Sequence, residues 1–160
     1  MGQLRLTAAL LAVAVLAVAG CSSSSSTPVD RGGVTVSARL ERSGDSYRLL
    51  TTFTPDKPGF HVYSISLPDG GVDGIGVPTR IRARSGLDSL GRAQANRPEV
   101  PIRLDAIGLE VPAYPDGAVT LTQDVHRASG ADPKILVTYG ACSASLCLPP
   151  VHDQEIAVAS

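Results

Sequence analysis

Polar and apolar residues alternate along most of the chain after residue 33, and this pattern restricts the fold more than any other feature. Apolar side chains at every second position are typical of a β-strand with one buried face. No stretch shows a sustained helical period. The alternating runs are residues 34–40, 47–53, 80–84, 100–104, 119–125, 135–141 and 156–158. The sequence therefore predicts an all-β domain.

Turn-forming residues separate these runs and set the architecture. Gly, Pro, Asp and Ser cluster at residues 43–45, 55–59, 68–76, 115–117 and 129–133. Seven or eight short strands with turns between them are typical of a two-sheet antiparallel sandwich, and we expect an immunoglobulin-like one. Pro101 indicates that its strand lies at a sheet edge. The polar segment 85–98 is interpreted as a long loop.

The first twenty residues resemble an export signal. Arg5 precedes an apolar run, residues 6–20, which is shorter than the roughly 20 residues that span a bilayer. The run ends in Val18-Ala19-Gly20-Cys21, which is similar to a bacterial lipobox, and a serine tract follows. We therefore expect a signal peptide over 1–20, a lipid on Cys21, a flexible tether over 21–33 and a domain over 34–160. The protein would then be anchored at the extracytoplasmic face of the cell membrane. The alternative is a cleaved soluble signal with an incidental cysteine.

Composition and motifs argue against several function classes. The chain has 14 basic and 15 acidic residues and no basic run, so nucleic acid is not an expected partner. The glycine-rich run 70–76 does not follow a strand and open a helix, as a phosphate-binding loop would. The sequence shows no Ser/His/Asp arrangement and no carboxylate pair that would indicate a hydrolytic active site. We expect no cofactor and no bound metal.

Two cysteines remain once Cys21 is assigned to the lipid. Cys142 ends a predicted strand, Cys147 follows five residues later, and Pro149 and Pro150 stiffen the exit. Outside the cytoplasm such a pair is free to form a disulfide. Cross-linking a six-residue loop stabilises a fold by roughly 2 kcal/mol, against about 4.7 kcal/mol for a 100-residue loop. Because the stabilisation is small, we favour a redox-active disulfide that is reduced and re-formed. The alternative is a permanent structural disulfide within a hairpin.

The chain has three histidines, and two of them bear on the candidate site. Cys142, Cys147 and His152 together offer the soft ligands that suit Cu(I). The competing interpretation places His152 on the surface near a strand start. His61 is expected to flank the sandwich core.

Two stretches resemble the amino-terminal domain of the DsbD family of thiol:disulfide interchange proteins. Residues 137–150 contain the sequence VTYGAC through CLPP, which is similar to the family's cysteine motif. Residues 58–63 and 76–81 are similar to its early block of glycine, an aromatic and His-x-Tyr, followed by Gly-x-Pro. The resemblance extends over roughly residues 33 to 159. It implies an immunoglobulin-like fold and a redox-active pair at Cys142 and Cys147.

The resemblance also implies roles and partners. Such domains take electrons from a membrane-embedded reductase and deliver them to extracytoplasmic thioredoxin-like proteins. By position, Cys147 is the sulfur that joins the partner and Cys142 is the resolving one. A cap loop falls near residues 110–114, with Tyr114 as the candidate cap residue. This chain has one residue fewer between its cysteines and carries neither the family's membrane domain nor its thioredoxin-like domain, so we expect an electron donor in trans. The competing hypothesis is a non-catalytic sandwich that binds a protein partner or Cu(I).

Overall fold

A computed structural model describes residues 26–160, and within that range every regular element is a β-strand. The strands are β1 (Val29–Arg31), β2 (Val34–Ser43), β3 (Ser46–Pro55), β4 (His61–Val62), β5 (Arg80–Ala83), β6 (Leu87–Ser89), β7 (Gln94–Ala95), β8 (Val100–Leu104), β9 (Leu109–Ala113), β10 (Val119–Arg127), β11 (Lys134–Tyr139), β12 (Ala141–Cys142) and β13 (Val151–Ala157). The expected signal peptide and the lipidation position Cys21 lie outside the described residues.

The first sheet has the order β1-β2-β3-β10-β6, with β7 also paired to β10. Its long central hairpin joins β2 to β3 in continuous register from Val34 opposite Pro55 to Ser43 opposite Ser46. Gly44 lies at the tip with φ +63°, a conformation that glycine adopts without strain. The alternation predicted for these strands is confirmed, because every second side chain is buried at Val34, Val36 and Ala38.

The second sheet has the order β13-β11-β5 and packs its apolar face on the first. Ile135, Val137 and Ile156 are fully buried there. The rings of Phe53 and Tyr139 meet edge to face across the two sheets, with centroids 5.4 Å apart. All pairings between these strands are antiparallel. The prediction of an all-β, immunoglobulin-like antiparallel sandwich is confirmed.

Two short ribbons complete the domain at one end of the sandwich. Strand β4 pairs with β12, and β8 pairs with β9 in a hairpin. Apolar residues of the β8–β9 hairpin form a second buried cluster with residues of neighbouring segments. The cluster contains Tyr63, Leu67, Ile102, Leu104, Val111, Ala113 and Cys142. This cluster, separate from the main core, is where the cysteine motif enters the fold.

The alternating pattern did not predict β4 and β9, and two further segments differ from the sequence-based expectation. The loop expected at 85–98 contains β6 and β7, each of which pairs with β10 for two or three residues. Leu87 is the buried residue of β6. Strands of two or three residues are too short for an alternating pattern to be detected in the sequence. Residues 29–31, expected to be part of the tether, form β1 on the edge of β2.

In the described part of the chain, no helix has the length and apolar character needed to cross a membrane.

Candidate functional site

The two cysteines of the motif are joined in a disulfide, Cys142–Cys147, at the second buried cluster. Strand β12 ends at Cys142 and a turn over residues 143–146 leads to Cys147. The Ser143 amide donates to the Leu146 carbonyl at 2.8 Å, and the Leu148 amide donates to the Ala141 carbonyl at 2.9 Å. The loop therefore has its own backbone hydrogen bonds in addition to the sulfur–sulfur bond.

The two sulfurs lie in very different surroundings. Cys142 is 1% exposed and packs in the second cluster, whereas Cys147 belongs to the exposed part of the loop. Leu146, immediately before Cys147, is 59% exposed although it is a large apolar side chain. An incoming thiolate can reach only a sulfur that is open to solvent. The geometry therefore makes Cys147 the accessible end of the bond.

Tyr63 is the side chain that hydrogen bonds the sulfurs within the described range. Its hydroxyl lies 2.6 Å from Cys142 Sγ and 3.7 Å from Cys147 Sγ. The sulfurs carry no proton in the disulfide, so the hydroxyl donates. Burial raises the pKa of Tyr63 above its ordinary value, which keeps the hydroxyl protonated. A protonated donor is thus fixed beside the buried sulfur.

The backbone places Tyr63 there through two pairings. Its amide donates to the Gly140 carbonyl at 2.9 Å, and its Cα pairs with that of Ala113 at the end of the β8–β9 hairpin. A Cβ on Gly140 would meet the Tyr63 ring at 3.0 Å, so glycine allows the ring to pack closely on the chain before Cys142. The two stretches that carry the family resemblance each contain one of these residues, but sequence analysis assigned no role to Tyr63.

The side chains that cluster with Cys142 include residues of the β8–β9 hairpin, and Tyr114, the expected cap residue, belongs to the main core. Ile102 and Val111 pack in one cluster with Cys142, and the Asp105 amide in the hairpin turn donates to the Ala144 carbonyl at 2.9 Å. Tyr114 instead lies fully buried in the main core, and its hydroxyl accepts from the Ile65 amide at 3.2 Å.

The histidines do not add a metal site here. His61 pairs with Cys142 in the β4–β12 ribbon and its Nδ1 lies 2.9 Å from the Tyr114 carbonyl oxygen. His152 is exposed on β13. From residue 26 onward, no three His, Cys, Asp or Glu side chains converge closely enough to hold an ion. In this disulfide form, Cys142, Cys147 and His152 do not form such a group.

A scan against protein-family models and a search of curated proteins gave no match to this sequence. Among solved structures, the chain is similar to the N-terminal periplasmic domain of ScsB from Proteus mirabilis, with a TM-score of 0.58 and 15% sequence identity. The alignment covers 86% of this chain and 54% of that chain, so this chain spans about half the length of the ScsB structure. The likeness shows a shared fold.

A second similar structure is the N-terminal domain of Neisseria meningitidis DsbD in the reduced form. It has a TM-score of 0.45 and 17% identity, and the alignment covers 77% of this chain and 83% of that chain.

Proposed function

We propose that the protein is an extracytoplasmic thiol-disulfide exchange module that acts through Cys142 and Cys147. The observation that carries this proposal is the asymmetry of the disulfide, with Cys142 buried beside a hydroxyl donor and Cys147 exposed. The resemblance of residues 137–150 to the cysteine motif of the DsbD amino-terminal domain and the fold shared with the ScsB domain support the same role.

Reduction of the module begins at the exposed sulfur. The thiolate of an electron donor attacks Cys147 Sγ, a mixed disulfide forms there, and the bonding pair leaves on Cys142 Sγ. The donor's second thiolate then attacks the donor's own sulfur in that mixed disulfide. This step releases Cys147 as a thiolate, oxidises the donor and leaves the module as a dithiol. We propose a membrane-embedded reductase as the donor.

Delivery of electrons runs in the opposite sense. The Cys147 thiolate attacks the disulfide of a thioredoxin-like acceptor and expels one of its sulfurs. Cys142 then attacks Cys147 Sγ, which restores the intramolecular bond and releases the reduced acceptor. The exposed side chain of Leu146 offers such a partner an apolar contact next to the reacting sulfur.

Tyr63 stabilises the charge that develops on Cys142 whenever that residue is the leaving group. Hydrogen bonds to an ionised acceptor are roughly twice as strong as neutral ones, and a buried site strengthens them further. Since the hydroxyl already lies 2.6 Å from Cys142 Sγ, no rearrangement is needed when the bond breaks. Tyr63 thus lowers the barrier for attack at Cys147.

Serine substitution of each cysteine tests the proposal. In Cys142→Ser the remaining Cys147 attacks an oxidised thioredoxin-like protein but nothing resolves the product, so a mixed disulfide accumulates on a non-reducing gel. Cys147→Ser is the matched control, and its buried Cys142 traps much less. Trapping through Cys142 would reverse the assigned roles. If neither cysteine exchanges with the thioredoxin-like protein, the bond is a permanent structural one. A reduction potential below about −300 mV would support the same conclusion.

We further propose that the module is a lipoprotein held at the cell membrane through a diacylglyceryl group on Cys21. The lipobox-like sequence before Cys21 and the serine tract after it support this. Mass spectrometry of the native protein should find the modified cysteine at the amino terminus. A soluble product with an unmodified Cys21 would contradict the anchor and leave the exchange proposal unaffected.

A further inference from the structure

The loop that carries Cys147 has no charged side chain. No Asp, Glu, Lys or Arg occurs between Lys134 and Asp153, although these residues make up 18% of the chain. The exposed residues of the loop are small, apolar or hydroxyl-bearing, namely Ala144, Ser145, Leu146, Cys147, Pro149 and Pro150. The accessible sulfur therefore lies among side chains that attract neither cations nor anions.

The β8–β9 turn adds a second exposed apolar side chain beside this loop. The Asp105 amide donates to the Ala144 carbonyl at 2.9 Å, which joins the turn to the loop. Ile107 and Leu146 each lie two residues from this hydrogen bond and are 58% and 59% exposed. Four large apolar side chains are exposed within residues 26–160, and these are two of them. Exposed apolar area is thus concentrated near Cys147.

The charges at the border of this surface are of both signs. The Arg103 guanidinium Nε lies 3.9 Å from the Asp105 carboxylate, so the two charges offset each other. On the other side of the loop, a Cβ on Gly33 would meet the Leu148 side chain at 2.9 Å, and residues 30–31 before that turn are one acid and one base. Electrostatic steering of a partner requires a surface of one predominant sign. The border therefore does not select a charged partner.

We propose that the uncharged surface around Cys147 docks an exchange partner whose own surface beside its reactive disulfide is apolar and uncharged. The inference rests on the proposed exchange function, since a protein that reacts with Cys147 must cover the groups next to it. Weak redox encounters bury less than about 1,200 Å² in total, or roughly 600 Å² on each protein. A footprint of that size centred on Cys147 reaches both Leu146 and Ile107. Docking then depends on burial of apolar area and is insensitive to salt.

The test measures how fast the reduced full chain is oxidised by symmetric disulfides of four N-acetylated, C-amidated tripeptides. Each tripeptide has a central cysteine flanked on both sides by leucine, serine, aspartate or lysine. Cys147 attacks the peptide disulfide and expels one peptide thiolate, and Cys142 then attacks Cys147 Sγ and expels the other. Each turnover gives the protein disulfide and two peptide thiols. Dividing each rate by the rate of the same peptide disulfide with dithiothreitol removes differences in intrinsic reactivity.

We expect the leucine peptide to react about tenfold faster than the serine peptide, because only its side chains bury apolar area on the protein. The aspartate and lysine peptides should react no faster than the serine peptide. The rate with the leucine peptide should not fall between about 0.05 M and 0.5 M salt, because no charge interaction is there to be screened.

Three variants locate the contact. Leu146→Ser and Ile107→Ser should each slow the reaction with the leucine peptide about fivefold. Oxidation by the small uncharged hydroxyethyl disulfide should not change, which shows that Cys147 keeps its reactivity. Leu90→Ser is the matched control, since Leu90 is also 59% exposed but bonds the Asp124 carbonyl near the opposite end of the first sheet, and it should react normally. If a variant does not fold, the comparison of the four peptides on the unchanged protein still decides.

The inference is overturned if the leucine and serine peptides react equally fast, or if both loop variants keep the full preference for leucine. It is also overturned if a charged peptide reacts fastest and its rate falls with salt, because the partner would then be recognised by charge. Equal peptide rates with normal oxidation by hydroxyethyl disulfide would refute the docking surface alone. If neither the peptides nor hydroxyethyl disulfide oxidise the reduced protein, the exchange function fails as well.

Discussion

Reduction of the Cys142–Cys147 bond should leave the domain folded and only modestly less stable. The bond closes a loop of six residues, for which the chain-entropy model gives a loss of about 2 kcal/mol on opening. The Ser143–Leu146 and Ala141–Leu148 hydrogen bonds do not involve sulfur and should hold the loop in place. The main core lies between the two sheets and includes neither cysteine, so its burial is unaffected.

The assay is urea unfolding of oxidised and reduced protein, followed by circular dichroism because the chain has no tryptophan. With a urea slope of about 2 kcal/mol per molar, the midpoint should fall by about 1 M. Cys142→Ala combined with Cys147→Ala is the control, and reductant should not move its midpoint. Unfolding on reduction, or a loss above about 4 kcal/mol, would refute the argument that the bond contributes little to stability.

Three further predictions test the site and the core. Tyr63→Phe should slow reduction of the disulfide by a small thiol about tenfold, the equivalent of 1.4 kcal/mol, whereas Tyr139→Phe, whose hydroxyl contacts the Arg31 carbonyl, should not. Burial raises the pKa of Tyr139 to about 12. The stability that depends on its protonated hydroxyl should therefore be fully retained below pH 10 and fall between pH 10 and 12. Ultraviolet titration of Tyr139→Phe should lack the tyrosine that ionises near pH 12. Leu121→Ala, at a fully buried position, should cost about 2–5 kcal/mol in urea unfolding, and Leu90→Ala, 59% exposed, less than about 0.5 kcal/mol.

The parts of the fold that follow from local pattern were predictable, and the long strands show why. In β2, β3, β10 and β11 each inward position repeats over at least six residues, so the period of two is unmistakable. In β4, β7 and β12 only two residues pair, and their position depends on distant partners. Strand β9 was missed because residues 110–114 were assigned to the cap loop that the family resemblance implies, although Val111 and Ala113 alternate with Glu110 and Pro112.

The candidate site could be predicted in its covalent part but not in its surroundings. The spacing and the flanking strand identified Cys142 and Cys147, whereas the cap residue was assigned by position to Tyr114. That assignment depended on which way the chain turns after β9, and no local signal fixes this. Tyr63 follows β4 in the same His-x-Tyr stretch that carried the family resemblance. Its register against Gly140, which brings its hydroxyl to the sulfurs, is a tertiary property.

The asymmetry of the disulfide assigns different consequences to attack at its two ends. Cys142 is 1% exposed and clusters with Ile102 and Val111 of the β8–β9 hairpin, so a partner could reach its sulfur only if neighbouring side chains moved away. Cys147 lies in the exposed loop, so a partner can reach it with the hairpin in place. Attack at Cys147 also places the departing charge on the sulfur that Tyr63 contacts at 2.6 Å, whereas attack at Cys142 would place it 3.7 Å from that hydroxyl. Access and leaving-group stabilisation thus favour the same direction of attack. This is the order of roles that the family resemblance implies for Cys147 and Cys142, and the two serine variants test it.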